Sequence, residues 1–387
     1  MKKSETPLDI LEVLEPSGGG SGRHFVDLCG GLKAHGHRVT AVYSPVRAEE
    51  RFVRELMALD LAKVIALPML RAVGPGDFAS WRALSRVIRE EGPFDIIHGH
   101  SSKAGALTRI RLPGTHVPRI YTPHAFRTMD PSLSSKGRLV FGAIEGLLGL
   151  FFTDRVICVS KNEYDHALGL GIPASSLALV VNGVGAIPAG RRGEVRSQCG
   201  LPEDALVFGF IGRLSPQKAP ERLIEAFAAI ARDMPGARLL MIGSGELEAD
   251  LRRRIEAAGI ADRVVVESGV PGAEVLQAID VLVMTSRYEA MSYVMLEGAA
   301  AGLPMILTDV GGTANVLDHD VNGLVVPNSD DSAPLIAAMT KLCDAATRAR
   351  LADAARARSG RYGVHAMVDQ TLDVYRQALA GRHGVRD

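Results

Sequence analysis

Two glutamates, Glu289 and Glu297, stand eight positions apart in the stretch SRYEAMSYVMLEGAAAGLP, residues 286–304. A short apolar run at Val281–Met284 predicts a buried strand before it, and the later apolar spacing predicts a helix over residues 294–301. Glu289 is therefore expected in the loop between strand and helix, and Glu297 inside the helix.

The start of this predicted helix is suited to a diphosphate, because a helix N-terminus presents backbone N–H groups and a partial positive charge. Ser292 is expected to cap the helix, and we place it with Met291 and Tyr293 among the residues that bind such a ligand. Carboxylates accept hydrogen bonds from vicinal hydroxyls, so the order of groups fits a sugar–diphosphate–ribose ligand. The competing interpretation is two solvated charges on an exposed helix.

The pattern Glu-x7-Glu followed by a Gly-x-Pro turn resembles the retaining glycosyltransferases of family 4, the "glycosyl transferases group 1" domain. The resemblance implies that Glu289 contacts donor-sugar hydroxyls and Glu297 the ribose. A second element, G-R-x-x-x-x-K ahead of a helix, resembles the diphosphate-binding element of the family and implies that role for Arg213 and Lys218. Two cations can neutralise a leaving diphosphate without a metal ion. Ala219 stands where the family usually has a glycine.

A third element, Thr122-Pro123-His124, resembles a T-x-H motif whose histidine lies beside the donor sugar in the family. Its resemblance implies a catalytic position for His124, which could otherwise be a core or capping histidine. A loop after a later strand, represented by Gly269, holds the base through backbone atoms in the family. The base, uracil or guanine, therefore leaves no side-chain signature here.

A glycine-rich turn between a strand at residues 8–14 and a helix at 25–34 contains Gly18, Gly19 and Gly20. A dinucleotide-binding fingerprint is rejected there, because the third glycine of G-x-G-x-x-G is missing and the second strand lacks a ribose-binding acid at its end. In the family such a turn faces the donor diphosphate. A tight turn without a ligand is the alternative.

His98 and His100 lie two positions apart on a predicted strand and are expected to point the same way. We do not predict a metal site, since no third ligand follows at a suitable spacing within this segment. His100, at the carboxyl end of the strand, is expected to contact the acceptor together with Ser101 and Arg127, whereas His98 is expected to be structural.

Two stretches bear on the membrane. Residues 103–127 carry five basic and no acidic side chains, which predicts either a solvated basic face or weak contact with anionic lipid headgroups or an acceptor phosphate. Residues 139–152 predict an apolar helix, expected in the core rather than at a membrane surface.

The bulk composition bounds the protein class. At 387 residues two domains are expected, and the formal net charge of zero gives no general case for nucleic-acid binding. Four widely spaced cysteines suggest neither a disulfide framework nor a zinc knuckle. Asp318-His319-Asp320 matches a D-x-D metal signature, but its turn context predicts loop charge. The positive N-terminus lacks an apolar segment behind it, so a cytoplasmic protein is expected.

The resemblance implies an α/β protein of GT-B fold, with two Rossmann-like doubly wound domains facing across a cleft. We expect an acceptor-binding domain over residues 1–184, a nucleotide-sugar-binding domain over 185–363, and a helix over 364–387 that packs back on the first. The expected reaction is retaining sugar transfer from a UDP- or GDP-sugar to a lipid-linked saccharide of exopolysaccharide, capsule or lipopolysaccharide synthesis.

This reaction is expected to need no cofactor and no metal. The protein is expected to make peripheral contact with the inner face of the cell membrane. Two alternatives stay open: a sugar-nucleotide 2-epimerase of the same fold, and a non-catalytic sugar-binding subunit of a polysaccharide assembly complex.

Overall fold

The computed structural model describes residues 6–70, 72–110, 117–130, 133–187, 190–270 and 272–383. The chain divides into two units: the first comprises Met1–Gly183 and Val364–Asp387, and the second comprises Val184–Gly363. Each unit is a parallel β-sheet with helices connecting its strands.

The strands are β1 (Asp9–Leu14), β2 (Arg38–Tyr43), β3 (Lys63–Ala66), β4 (Ile96–His100), β5 (Arg119–Thr122), β6 (Arg155–Cys158), β7 (Leu177–Leu179), β8 (Leu206–Ile211), β9 (Ala237–Ile242), β10 (Val264–Glu267), β11 (Val281–Met284), β12 (Met305–Thr308) and β13 (Gly323–Val326). The helices are α1 (Gly19–Ala34), α2 (Glu50–Ala58), α3 (Gly76–Glu90), α4 (Ser101–Arg109), α5 (Ser135–Phe151), α6 (Lys161–Gly169), α7 (Arg192–Gln198), α8 (Pro220–Ala231), α9 (Glu248–Ala257), α10 (Gly272–Val275), α11 (Tyr293–Ala300), α12 (Thr313–Val316), α13 (Ala333–Cys343), α14 (Ala345–Arg356) and α15 (Val364–His383). Short 3₁₀ turns lie at Pro45–Arg47, Arg127–Met129, Ala174–Ser176 and Ser359–Tyr362.

The sheet of the first unit has the strand order β3-β2-β1-β4-β5-β6-β7, with every pair parallel among the described residues. The direction of strand addition reverses between β1 and β4, where Ile10 of β1 pairs with Val39 on one side and Ile96 on the other. Ligands of open α/β sheets bind beyond the carboxyl ends of the strands at such a reversal. Leu14 and His100 end the two strands there.

The sheet of the second unit has the order β10-β9-β8-β11-β12-β13, again parallel throughout the described part of the chain. Its reversal lies between β8 and β11. Buried residues such as Phe208, Phe227 and Ile306 form its core between sheet and helices. Both units therefore have the doubly wound α/β architecture expected from the sequence.

Helix α1 begins at Gly19, six residues before the predicted start at residue 25. The predicted turn is therefore wrong in part, because Gly19–Gly22 belong to the helix. A Cβ on Gly22 would lie 3.1 Å from the ring of Phe52, so a glycine here lets α1 approach α2 closely. Tertiary packing thus overrides the low helix propensity of glycine.

Helix α15 packs on the first unit and closes its core. Val368 and Tyr375 are fully buried in the same cluster as Ile10 and Phe25. A Cβ on Gly31 of α1 would lie only 2.3 Å from Cγ2 of Val368, which shows how closely α1 and α15 approach.

Helix α5 lies at the surface, so its expected burial in the core is wrong. Leu139 is 75% exposed and Phe151 is 66% exposed, whereas within this helix only Glu145 and Gly149 are buried. Apolar residues cover most of the helix circumference, but α5 meets its own unit along one narrow stripe. Among the described residues, no helix is both long enough and apolar enough to cross a bilayer.

Candidate active site

Lys218 and Glu289 form an ion pair at the carboxyl edge of the second sheet. Their Nζ and Oε1 atoms lie 2.5 Å apart, and the two side chains are 18% and 8% exposed. Lys218 follows β8 and Glu289 follows β11, and these neighbouring strands meet at the reversal of the sheet. The sequence separates the two residues by 71 positions, and the sheet topology brings them together.

Hydrogen bonds fasten the loop after β8 to the loop after β11. The hydroxyl of Thr285 donates to the carbonyl oxygens of Lys218 (3.1 Å) and Ala219 (2.8 Å). The backbone N–H of Arg287 donates to the carbonyl of Gln217 (2.8 Å). The two loops are therefore preorganised as one surface.

Ala219 adopts the left-handed conformation that a glycine would adopt, with φ 46° and ψ 50°. It is fully buried, and the Thr285 hydroxyl bonds its carbonyl. A left-handed alanine costs of the order of 1 kcal/mol, which the surrounding contacts offset. The departure from the family's glycine therefore leaves this turn in place.

Two glycines lie directly against the loop that carries Glu289. A Cβ on Gly311 would lie 2.2 Å from the carbonyl oxygen of Glu289, and one on Gly312 would lie 2.9 Å from Sδ of Met291. Gly312 also has φ 87°. Larger residues here would displace Glu289.

The predicted helix after this loop is α11, which contains Glu297 near its middle while Glu289 lies in the loop, as predicted. Ser292 occupies the N-cap position, as predicted, although its side chain makes no capping hydrogen bond. Ser292 and Met291 are buried, and Tyr293 is half-buried. The backbone carbonyl of Ser292 accepts the N–H of Leu296 instead.

The remaining predicted donor residues differ in accessibility. Arg213 is exposed in the loop after β8 and forms no ion pair within the described residues. Gly269 is exposed in the bend after β10, with open space around its Cα. Both positions are open to a ligand.

Gly18 to Gly20 lie at the start of α1, where a residue missed by the sequence interpretation holds them. Oε1 of Glu49 accepts the N–H of Gly19 (3.1 Å), and a Cβ on Gly18 would lie 2.6 Å from Cδ of Glu49. The Gly19 N–H, expected to approach a diphosphate, is thus used inside the unit. Gly20 is exposed.

In the first unit, His124 and Ala125 both have left-handed backbone conformations, with φ 53° and 83°. Glu163 holds this turn: one carboxylate oxygen accepts the N–H of Ala125 (2.7 Å) and the other that of Val159 (2.7 Å). Burial raises the pKa of Glu163 to about 7, although these two hydrogen bonds oppose the shift. Nothing in the local sequence around His124 indicated Glu163.

Behind His124 lies a buried hydrogen-bonded cluster. Nε2 of His124 is 3.1 Å from Nδ1 of His100, and Nε2 of His100 is 2.7 Å from Oε2 of Glu12. His98 bonds the hydroxyl of Tyr375 at 2.7 Å through its Nδ1. His98 and His100 do point the same way, with ring centroids 4.0 Å apart.

His100 is fully buried, and both of its ring nitrogens are occupied by Glu12 and His124. Its predicted direct contact with an acceptor is therefore wrong. His100 can affect a ligand only through His124. The structural role predicted for His98 agrees with its burial and its hydrogen bonds to Tyr375 and Thr122.

The protonation states in this cluster follow from burial. Burial lowers the pKa of His100 to about 4, and it lowers the pKa values of His24 and His124 well below their usual range. Burial also opposes ionisation of Glu12, but the electrostatic attraction of His98 and the hydrogen bonds from His100 and His98 outweigh it and hold the pKa of Glu12 at about 2. At pH 7 the Glu12 carboxylate is therefore ionised, and His24, His100 and His124 are neutral.

Two triplets in this cluster have ligand atoms close enough for a metal ion: Glu12 with His98 and His100, and His24 with His100 and His124. The segment around His98 does not by itself predict these triplets, because Glu12, His24 and His124 come from other parts of the chain. The 2.7 Å between His100 Nε2 and Glu12 Oε2 fits a hydrogen bond, because tetrahedral zinc ligands stand roughly 3.3 Å apart. Hydrogen bonding therefore explains the spacing better.

The D-x-D sequence is loop charge, as predicted. Asp318 pairs with Arg358 at 2.5 Å, and Asp320 pairs with Lys341 at 2.9 Å and Arg350 at 2.8 Å.

A groove of about 940 Å³ opens beside His124 in the first unit. Charged and polar side chains line one part of it, and apolar side chains from α4 and α5 line the rest. The first set includes Glu15, Arg47, Asp77, Ser101, Lys103, His124 and Arg127, and the second includes Leu107, Ile110, Phe141, Ile144 and Leu148. Ser101 and Arg127 thus lie where an acceptor could contact them.

The basic face predicted over residues 103–127 is wrong. Lys103 is buried and pairs with Asp77 at 2.5 Å, and Arg109 is fully buried with its guanidinium 2.8 Å from Glu145. Arg119 is also buried, and Arg127 pairs with Asp130 at 2.7 Å. Arg111 lies outside the described residues. Lys103 and Arg109 thus pair with carboxylates from distant parts of the chain, whereas the partner of Arg127 lies only three residues away.

Comparison with known proteins identifies the family and the fold. The model described as Glycosyltransferase Family 4 matches residues 18–186, and the model described as Glycosyl transferases group 1 matches residues 191–358. The D-inositol 3-phosphate glycosyltransferase of Xylanimonas cellulosilytica is 30% identical over 319 residues, 76% of this chain and 74% of that protein. The UDP-Gal:alpha-D-GlcNAc-diphosphoundecaprenol alpha-1,3-galactosyltransferase of Escherichia coli is 28% identical over 66% of this chain and 67% of its own.

Solved structures share the fold over nearly the whole chain. Anabaena Alr3699/HepE in complex with UDP-glucose has a TM-score of 0.80 at 20% identity, covering 96% of this chain and all of that one. WaaG, a glycosyltransferase involved in lipopolysaccharide biosynthesis, has a TM-score of 0.70 at 18% identity, with 95% and 99% covered.

Proposed function

The chain belongs to the group 1 glycosyltransferases of GT-B fold, and on this premise we propose that it transfers a sugar from a UDP- or GDP-sugar to a lipid-linked saccharide with retention of configuration. The observation that carries the proposal is the Lys218–Glu289 pair at the carboxyl edge of the second sheet. It joins a phosphate-binding cation to a carboxylate that binds sugar hydroxyls.

In the absence of ligand, Lys218 and Glu289 neutralise one another. A nucleotide-sugar offers each a better partner, because its phosphate oxygens attract the ammonium group and its sugar hydroxyls donate to the carboxylate. The exposed Arg213 adds a second cation for the diphosphate. As the bond from the sugar to the phosphate breaks, these cations stabilise the charge that develops on the leaving group.

Retention is proposed through front-face attack. The acceptor hydroxyl bonds to the anomeric carbon while the bond to the diphosphate breaks, and the hydroxyl proton passes to the leaving phosphate oxygen. His124 hydrogen-bonds the donor sugar near this carbon, and Glu297 binds the ribose. This displacement does not pass through a covalent glycosyl-enzyme intermediate.

The groove of the first unit supports an amphipathic acceptor. Its polar part beside His124 and Arg127 suits a saccharide or phosphate, and its apolar part suits a lipid chain. The name of the E. coli relative specifies a diphosphoundecaprenol-linked acceptor, which favours the same class here. A role in bacterial polysaccharide synthesis would follow.

Transfer assays test this proposal directly. The full chain is incubated with UDP- and GDP-sugars and either a lipid-linked saccharide or the same saccharide without lipid. The products are identified by mass spectrometry, and the new linkage is assigned by NMR. We expect an α-linked product from an α-linked donor, formed with the lipid-linked acceptor. Release of an altered free sugar without acceptor would instead identify an epimerase. Absence of turnover with every acceptor would identify a non-catalytic subunit.

The proposed reaction is independent of metal ions, because Arg213 and Lys218 take the role of a divalent cation. Turnover should therefore persist in EDTA. Loss of activity on chelation, with recovery on adding Mg²⁺ or Mn²⁺, would contradict this part of the proposal.

We propose that peripheral membrane contact is made by α5 and not by the basic residues of the stretch 103–127. Its exposed apolar side chains lie next to the groove, to which Phe141, Ile144 and Leu148 of the same helix contribute. Burial of apolar area at the lipid boundary stabilises such a contact. We expect the double variant Leu139→Gln, Leu147→Gln to lose vesicle binding.

The matched control is Val321→Gln, which changes an exposed apolar side chain of the second unit and should leave vesicle binding intact. Equal flotation of all three proteins with vesicles would exclude α5 as the contact.

A further inference from the structure

His124 has one ring nitrogen inside a hydrogen-bond chain and one left for a ligand. Its Nε2 lies 3.1 Å from Nδ1 of His100, whereas its Nδ1 has no hydrogen-bond partner among the described residues. A neutral imidazole carries N–H on one nitrogen and a lone pair on the other. The contact with His100 therefore decides what His124 offers to the groove.

Glu12 sets the direction of this chain. An ionised carboxylate only accepts hydrogen bonds, so Nε2 of His100, 2.7 Å from Oε2, must carry the proton. Nδ1 of His100 is then a lone pair, which accepts N–H from Nε2 of His124. Nδ1 of His124 is left as an acceptor.

The second carboxylate oxygen of Glu12, Oε1, also accepts a hydrogen bond. The hydroxyl of Tyr375 donates to Oε1 at 2.8 Å, and it accepts N–H from Nδ1 of His98 at 2.7 Å. The hydroxyl of Thr122 in turn donates to Nε2 of His98 at 2.8 Å. Every donor in these two branches thus has an acceptor, and both branches end on one carboxylate.

The two branches differ at their far ends. The branch through Tyr375 and His98 ends on the buried hydroxyl of Thr122, whereas the branch through His100 ends at the open groove. Only the second branch can reverse its direction without leaving a buried donor unmatched.

We propose that Glu12, acting through His100, is a positioning residue that fixes His124 as the tautomer with a lone pair on Nδ1. His124 then accepts a hydrogen bond from a ligand hydroxyl and repels anionic oxygens such as those of phosphate. The inference rests on the proposed function only for the identity of the hydroxyl, which we assign to the donor sugar.

The tautomer is measured by NMR of the full chain labelled with ¹⁵N in histidine, without substrate. Unprotonated ring nitrogens resonate far downfield of protonated ones, and His124→Asn assigns the signals. We expect Nε2 of His124 to be protonated and Nδ1 unprotonated. A protonated Nδ1 in the wild-type protein would overturn the inference.

Two variants separate a directing role from a merely structural one. Glu12→Gln places an amide NH₂ opposite His100, so His100 and His124 should reverse and Nδ1 of His124 should become protonated. Tyr375→Phe removes one hydrogen bond from the same carboxylate but leaves the contact between Glu12 and His100. Nδ1 of His98, which loses the Tyr375 hydroxyl as its acceptor, lies 3.4 Å from Oε2 of Glu12. Tyr375→Phe should leave the tautomer of His124 unchanged.

Kinetics complete the test. Glu12→Gln should lower kcat of sugar transfer by of the order of 10- to 100-fold, with little change in KM for the nucleotide-sugar, whereas Tyr375→Phe should stay near wild type. Equal losses in both variants would overturn the directing role. If the wild type transferred no sugar at all, the proposed function would fail while the measured tautomer still decided the inference.

A bound metal ion is the remaining outcome. Elemental analysis giving about one divalent ion per chain, together with loss of the N–H signals of His100 and His124, would overturn the hydrogen-bond chain.

Discussion

The turn at His124 and the loop at Glu289 present functional side chains in opposite ways. His124 lies on a left-handed backbone, and buried residues fix both its turn and its ring: Glu163 bonds the turn and His100 bonds the ring. Glu289 lies on a surface loop, and among the described residues its side chain pairs with Lys218, which is itself expected to bind ligand. One group is held by the scaffold, and the other by a second functional group.

The difference concerns what happens on ligand binding. His100 and Glu163 behind His124 are fully buried, so we expect them to keep their positions when a ligand binds. On the proposed function, the Lys218–Glu289 pair exchanges its contacts for phosphate and hydroxyl groups, which would tie donor binding to the loss of one ion pair. Mutations behind His124 should therefore be visible in stability or in the tautomer even without substrate, whereas mutations of Glu289 should be visible mainly in kinetics.

The largest expected effect comes from Glu289→Gln. The donor sugar gains positive charge as its bond to phosphate breaks, so replacing the carboxylate by a neutral amide should lower kcat by about 10²-fold or more. Steady-state kinetics with saturating donor measures the effect. Glu256→Gln, at an exposed position on α9, is the control. Wild-type kcat in Glu289→Gln would refute the role of this loop.

Glu163→Gln should destabilise the first region by about 1–3 kcal/mol, because one buried backbone N–H loses its acceptor. The pKa of Glu163 is about 7 in the folded protein, above its usual value of about 4.5, so the folded state holds the proton more tightly. Its contribution to stability is full below pH 4.5 and is lost as the pH rises through 7.

The advantage of wild type over Glu163→Gln should therefore shrink as the pH rises from 4.5 to 7. Melting temperatures of both proteins across this range measure it. Asp165→Asn, on the exposed face of the same helix, should show no such trend. A pH-independent difference would exclude titration of Glu163.

Glu297→Ala sharpens the comparison within the second unit. A ribose contact is about equally strong in the ground and transition states, so its loss should raise donor KM by about 10-fold with a smaller change in kcat. Initial rates over a range of donor concentrations separate the two constants. A fall in kcat equal to that of Glu289→Gln would show that the two glutamates do not have separate roles.

The smallest expected effect is that of Ala219→Gly. Relief of the left-handed strain is opposed by loss of a buried methyl group and by greater freedom of the unfolded chain, so stability should change by less than about 1 kcal/mol. Thermal melting and donor KM should both stay near wild type. A large rise in KM would mean that the alanine itself shapes the diphosphate site.

The sequence alone predicted both α/β units and the local placement of Arg213, Lys218, Glu289 and Glu297. Those features depend on contiguous patterns: an apolar strand, a polar loop and the start of a helix. Periodicity encodes them, because side-chain direction along a strand or helix repeats with a fixed period.

Tertiary structure decided which distant residues meet. Glu12 reaches His100 across 88 positions and Tyr375 across 363, and neither contact leaves a mark in the local sequence. The same reason explains why the predicted burial of α5 and the predicted basic face over residues 103–127 were wrong. Whether α5 is covered, and whether Arg109 has a buried carboxylate beside it, depends on elements elsewhere in the chain, whereas local periodicity specifies only which face is apolar.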